Sequence, residues 1–222
     1  MDWPSTLNLL AHELRSPASV IMGYTRMLRE GRLDDEARLH ALAQIERAAG
    51  RLSLVGRQTA DLSRWLAVHS GQPSHFLPVG TLVARAVSGS EAPDRISVVV
   101  NPAAATMQVR MLDRDSLQDA VGAIIQAVLR EAIGEPIRIV VRRADPLVAC
   151  DLLVGPSTRL ADATDVGGPE AGSPFGLDRG GQGLALVLAS TVLSAHQSQL
   201  WTIDGRPGLV GIRLLATEEP QS

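Results

Sequence analysis

Leu10-Ala11-His12-Glu13-Leu14-Arg15-Ser16-Pro17 sets a histidine beside an acid, with a proline five residues beyond the histidine. An imidazole has a pKa near neutrality, and its neutral ring is a nucleophile that can accept and donate a phosphoryl group. A neighbouring carboxylate can hold the other ring N–H or take its proton. Pro17 has no N–H to bond the Glu13 carbonyl, so a bend is expected just after the histidine.

The flanking residues place this stretch on a long helix. Leu7, Leu10, Leu14, Ala18, Ile21, Tyr24 or Thr25, and Leu28 recur at steps of three and four. Gly31 to Asp35 reads as a turn with an acidic start to a second helix. That helix carries Leu39, Leu42, Ile45, Ala49, Leu52, Val55, Thr59, Leu62 and Leu66, and is expected to end near His69. Two long helices and a short loop make an antiparallel hairpin. A lone hairpin leaves its apolar stripe half covered, and two copies in a four-helix bundle would cover it, so a homodimer is expected.

With Val20-Ile21-Met22-Gly23-Tyr24 following, His-Glu-Leu-Arg-Ser-Pro strongly resembles the H-box of sensor histidine kinases. The resemblance implies that His12 is the phospho-accepting residue and that Glu13 assists it. It implies that Arg15, Ser16, Pro17, Val20, Gly23 and Met27 orient phosphate or meet a response-regulator receiver domain.

Composition sets limits. The net charge of −3 comes without a basic run, which argues against nucleic acid as the main partner. Every basic residue is arginine. The single cysteine, Cys150, has no disulfide partner and no metal-ligand neighbours, so a buried thiol in a reducing cytoplasm is expected. No secretory segment follows Met1. The longest apolar run, 184–195, is too short to span a bilayer, so no membrane insertion is expected. With the H-box this close to Met1, no sensory domain is expected ahead of it.

Residues 1–69 are therefore expected to form the dimerisation and phosphotransfer hairpin, 70–78 a linker, and 79–222 a second domain. His69 and His75, without acid or cysteine partners, are expected as solvated linker side chains. In the second domain, 79–87 suits a short helix. Segments 95–100, 106–111, 136–141 and 147–154 suit strands, and 113–132 is an amphipathic helix. Residues 157–179 read as a long loop and 183–196 as a helix. Segments 200–203 and 209–215 read as a closing hairpin. The fold class is α+β, with helices on one face of a sheet.

This order resembles the Bergerat-type ATP-binding domain of histidine kinases. Gly181-Gln182-Gly183-Leu184-Ala185-Leu186 resembles its second glycine box, so Gly181, Gly183 and Leu184 are possible vestigial nucleotide-binding residues. His196 falls on a structural histidine of the family. The other boxes depart. Aligned through Ile124-Ile125, the two asparagines of the family fall on Ala123 and Ala127, and alanine offers magnesium no oxygen. In the first glycine box only Gly155 survives, and the adenine-binding aspartate is Leu153. Asp151, two residues early, shares the strand face of Leu153 but lies about 7 Å away. Losing a charge-assisted hydrogen bond costs on the order of 1.5–3 kcal/mol, so weak or absent ATP binding is expected.

Three functions follow. The first is a dimeric phosphorelay histidine phosphotransfer protein, with His12 exchanging phosphoryl groups with receiver aspartates and with an upstream hybrid kinase as a further partner. This chain then needs no cofactor, Mg²⁺ arriving with the receiver. The second is an ATP-dependent kinase that phosphorylates its own His12. The third is a pseudokinase scaffold that binds response regulators without turnover.

Overall fold

The computed structural model describes residues 3–31, 33–67, 75–113, 115–144, 148–160, 167–177, 183–203 and 208–218. The chain forms two compact units, Met1–Arg64 and Trp65–Ser222.

The first unit is the helical hairpin. Helix α1 spans Trp3–Glu30 and contains Pro17. It ends at Gly31, whose positive φ of 69° suits a residue without Cβ. Asp34 then caps α2 (Asp35–Ala67), its Oδ1 accepting the Ala37 N–H at 2.8 Å. Tyr24 and His40 meet edge to face across the turn. The buried seam of α2 is Ala41, Ala48, Val55 and Leu62, a strict seven-residue repeat. Leu39 and Leu42, from the apolar stripe read in the sequence, lie exposed beside this seam, as do Leu7 and Leu14 of α1. A single hairpin has room for one narrow seam of small side chains, and the leucines flank it.

The second unit is a mixed sheet with helices packed on it. Strand β1 is His75–Pro78, α3 Val79–Ser88, β2 Ile96–Val100, α4 Pro102–Ala105 and β3 Met107–Met111. Helix α5 is Ser116–Glu131, β4 Ile137–Arg143, β5 Ala149–Pro156 and α6 Ser157–Leu160. Strand β6 is Gly172–Pro174, α7 Leu184–Ala195, β7 Gln199–Ile203 and β8 Val210–Glu218. The sheet runs β1-β3-β8-β5-β4-β2, with β7 also on β8 and β6 on β7. Among the described residues only the β2–β4 pairing is parallel.

Two sequence expectations are corrected. His75–Pro78, read as linker, is a strand paired with Met111–Gln108, and residues 68–74 lie outside the described residues. Residues 157–179, read as a loop, contain α6 and β6. A Gly-Ser-Pro strand has almost no intrinsic β preference. Position 172 takes glycine because a Cβ there would lie 2.3 Å from the Trp201 ring.

Both faces of β5 are buried. Its even positions, Cys150, Leu152 and Val154, join the main core with Val121, Ile124, Ile125 and Val128 of α5 and Val192 and Leu193 of α7. Leu153 faces the other way, into a smaller cluster with Leu160, Trp201, Ile203 and Leu209.

Candidate functional site

His12 projects from α1 into solvent, and Arg15, Ser16, Val20, Gly23 and Met27 are exposed with it. Ser16, Val20, Gly23 and Met27 follow His12 at steps of four, four, three and four, so they share its helix face. A Cβ at Gly23 would meet nothing within 4 Å, which leaves that part of the face flat and open. Pro17 is buried and points into the hairpin. Glu13 is half-buried, and no hydrogen bond joins it to His12 among the described residues. Adjacent helical positions diverge by about 100°, so the two side chains do not face each other at rest. The sequence had placed them together, and the helix separates them.

The positions compared with a nucleotide site do not converge. Ala127 is buried in the main core and Ala123 packs against it, so neither offers an oxygen to a cation. No group of three or more His, Cys, Asp or Glu residues able to hold a metal ion occurs among the described residues. Leu153 sits on the opposite face of the sheet from α5. Gly155 shares that opposite face, where a Cβ would lie 1.9 Å from Leu209 Cδ2. Its missing side chain is thus explained by packing. Gly183 caps α7 with φ 52° and ψ −127°, a backbone that side chains avoid, and Leu184 behind it is buried. Gly181 lies outside the described residues. The residues present fit neither Mg²⁺ at the asparagine positions nor an adenine amine at Leu153.

Asp151 is engaged elsewhere. It is 1% exposed and pairs across the sheet with Arg142 on one side and Arg213 on the other. Arg213 Nε donates to its Oδ1 at 2.7 Å and Nη2 to its Oδ2 at 3.0 Å, while Arg142 reaches Oδ2 at 3.3 Å. Arg213 also donates to Glu170 at 3.0 Å and lies 5.9 Å from the Trp201 ring centre. The hydrogen bond to Asp151 raises the Arg213 pKa further above its ordinary value. A bidentate carboxylate so held has no free oxygen edge for a base. Sequence reasoning left Asp151 as a remote candidate and missed its partners. The signal was one acid among apolar residues of a strand, with arginines on the neighbouring strands.

His196 is buried at the end of α7, where its Nδ1–H donates to the Val192 carbonyl at 2.8 Å and its Nε2 accepts the Leu112 N–H at 3.1 Å. Both ring nitrogens are used, so the ring is held as one neutral tautomer, and burial lowers its pKa. The Trp65 ring lies 5.6 Å away. Cys150 is buried against Met107, and burial with the Asp151 charge pushes its thiol up to about 12.

Residues 6–67 match the His Kinase A (phospho-acceptor) domain. The chain is similar in structure to the Acinetobacter baumannii histidine kinase AdeS, with a TM-score of 0.54 at 13% identity, covering 95% of this chain and 98% of that one. Full-length ShkA, solved in complex with AMPPNP, is 18% identical, with a TM-score of 0.49 over 98% of this chain and 47% of that one. No curated protein matches the chain by sequence. No described helix is long and apolar enough to cross a membrane. His Kinase A domains are dimeric and work with response regulators in two-component signalling. Residues 6–67 thus carry a His Kinase A domain, and the chain has the fold of a solved histidine kinase over its length, which is consistent with a histidine-kinase-family protein.

Proposed function

We propose that this protein is a phosphorelay histidine phosphotransferase, with His12 as the relay residue between receiver domains. The observation that carries the reading is the contrast between the two units. His12 stands exposed on an open helix face, while Ala123, Ala127 and Leu153 supply neither metal ligand nor adenine acceptor.

In this reading a ring nitrogen of His12 attacks the phosphorus of a receiver aspartyl phosphate. The N–P bond forms as the P–O bond to the aspartate breaks, and the aspartate leaves as a carboxylate. Glu13 holds or takes the proton on the other ring nitrogen once its side chain swings toward His12. The receiver docks on the face running from Ser16 through Val20 and Gly23 to Met27 and brings its own Mg²⁺. Transfer to a second receiver reverses the step. The working protein is a homodimer, whose four-helix bundle covers Leu7, Leu14, Leu39 and Leu42.

The kept backbone of Gly183 at the start of α7 favours one other reading, an ATP-dependent autokinase with altered boxes. The two readings separate on transfer from a panel of receiver domains charged by a labelled small phosphodonor. The relay predicts label on the protein within a turnover and none on His12→Gln. Failure of every receiver to transfer, with ATP labelling His12 instead, would establish the kinase.

A further inference from the structure

Strand β2 ends the sheet and pairs only with β4 among the described residues. Its sequence, Ile-Ser-Val-Val-Val, has no charge and no proline. Val98 and Val99 are 38% and 47% exposed on its two faces. Natural sheets blunt such edges with charge, proline or a covering element, because outward N–H and C=O groups invite another strand.

The direction of those groups can be read. Asn101 N–H donates to the Val141 carbonyl at 2.8 Å, while Val100 is the register partner of Val141. In a parallel ladder alternate residues bond to the same neighbour. Positions 97, 99 and 101 therefore face β4, and Val98 and Val100 turn their backbone groups outward with the Ile96 carbonyl, while the Ile96 N–H donates to the Pro93 carbonyl.

We propose that β2 pairs with β2 of a second copy, antiparallel and centred on Val98. A two-fold axis at Val98 sets Val98 against Val98, exchanging two bonds, and Ile96 against Val100, where the Val100 N–H meets the Ile96 carbonyl. An axis between two residues would set outward groups against inward ones and form no ladder. In this register Arg95 meets Asn101, so no like charges oppose. A five-residue strand buries far less than the roughly 1,000 Å² that holds a free partner. The occupant must therefore be tethered nearby. A second copy held by the hairpin dimer is tethered, at an effective concentration in the millimolar range. The pairing thus rests on the homodimer reading above.

The test is residue-resolved hydrogen exchange with sedimentation on the same samples. In the dimeric wild type the amides of Val98 and Val100 should exchange on the order of tenfold more slowly than in Val98→Lys or Val98→Glu. Each variant alone sets like charges face to face, whereas mixed subunits set Lys against Glu and should regain protection. Amides of Ser97 and Val99 report the β4 ladder and should stay protected throughout, showing intact folds. A dimeric wild type with fast edge amides overturns the pairing and leaves the homodimer standing. A monomeric wild type overturns both. Protection that survives Val98→Lys, or a mixture that regains none, also overturns it.

Discussion

Replacing Asp151 with asparagine tests whether the acid is a structural counter-charge. The side chain is 1% exposed, and Arg213, which grips both its oxygens, is 11% exposed. Removing one partner of a buried pair leaves the other charge uncompensated, which costs about 3–5 kcal/mol. Arg213 keeps its bond to Glu170, and Arg142 reaches water with 22% of its side chain exposed, so the lower end, about 3 kcal/mol, is expected. With a urea m-value of about 1–3 kcal/mol/M, the midpoint should fall by roughly 1–3 M. The assay is pulsed hydrogen exchange at rising urea, read on β5 and β8 amides so that the hairpin does not contribute. Asp151→Leu combined with Arg213→Leu should cost less than the two single changes together, because the central charges go as a pair. A midpoint shift below about 0.3 M for Asp151→Asn would refute the reasoning, since it would mean the pair is not structural.

Three further outcomes follow from the second unit. Burial lowers the His196 pKa, so the unfolded chain binds its proton first. Stability should therefore be full above the unfolded value near 6.5 and fall as pH drops toward the folded pKa, by at most about 1.4 kcal/mol per pH unit. His196→Gln should flatten that slope in urea titrations between pH 7 and 5. Cys150, with its thiol pushed up to about 12, should resist disulfide-forming reagents at pH 8 in the native protein and react at once in urea. Gly155→Ala should destabilise the second unit by about 1–3 kcal/mol through overpacking on Leu209, and Leu209→Ala on the same chain should recover part of it, both read as thermal midpoints.

The long helices were legible because their apolar residues repeat with the helical period, whereas the four-residue α4 and α6 are too short to show one. Turn residues gave the hairpin away, alternation gave β3 and β4, and an apolar run gave β5. What stayed hidden depends on contacts distant in sequence. His75–Pro78 carries a proline and four residues, and only its partner β3 makes it a strand. Gly172–Pro174 is a strand because the Trp201 ring fills the space a side chain would take. The histidine site was readable as a motif on one helix face, but its neighbour Glu13 turns aside by helical geometry that a string of letters does not display. Strand parity tied Asp151 to Leu153, yet nothing local tells which face α5 covers. The Arg142–Asp151–Arg213 ladder joins residues up to 62 positions apart.

Phosphoryl flow to His12 tests the central claim most directly. The protein is given γ-labelled ATP with Mg²⁺ in one reaction and a labelled aspartyl-phosphate receiver in another. Label that is stable to base, labile to acid and absent from His12→Gln should appear only with the receiver. Equal or faster labelling from ATP alone would contradict the account and return the second unit to the role of a working kinase.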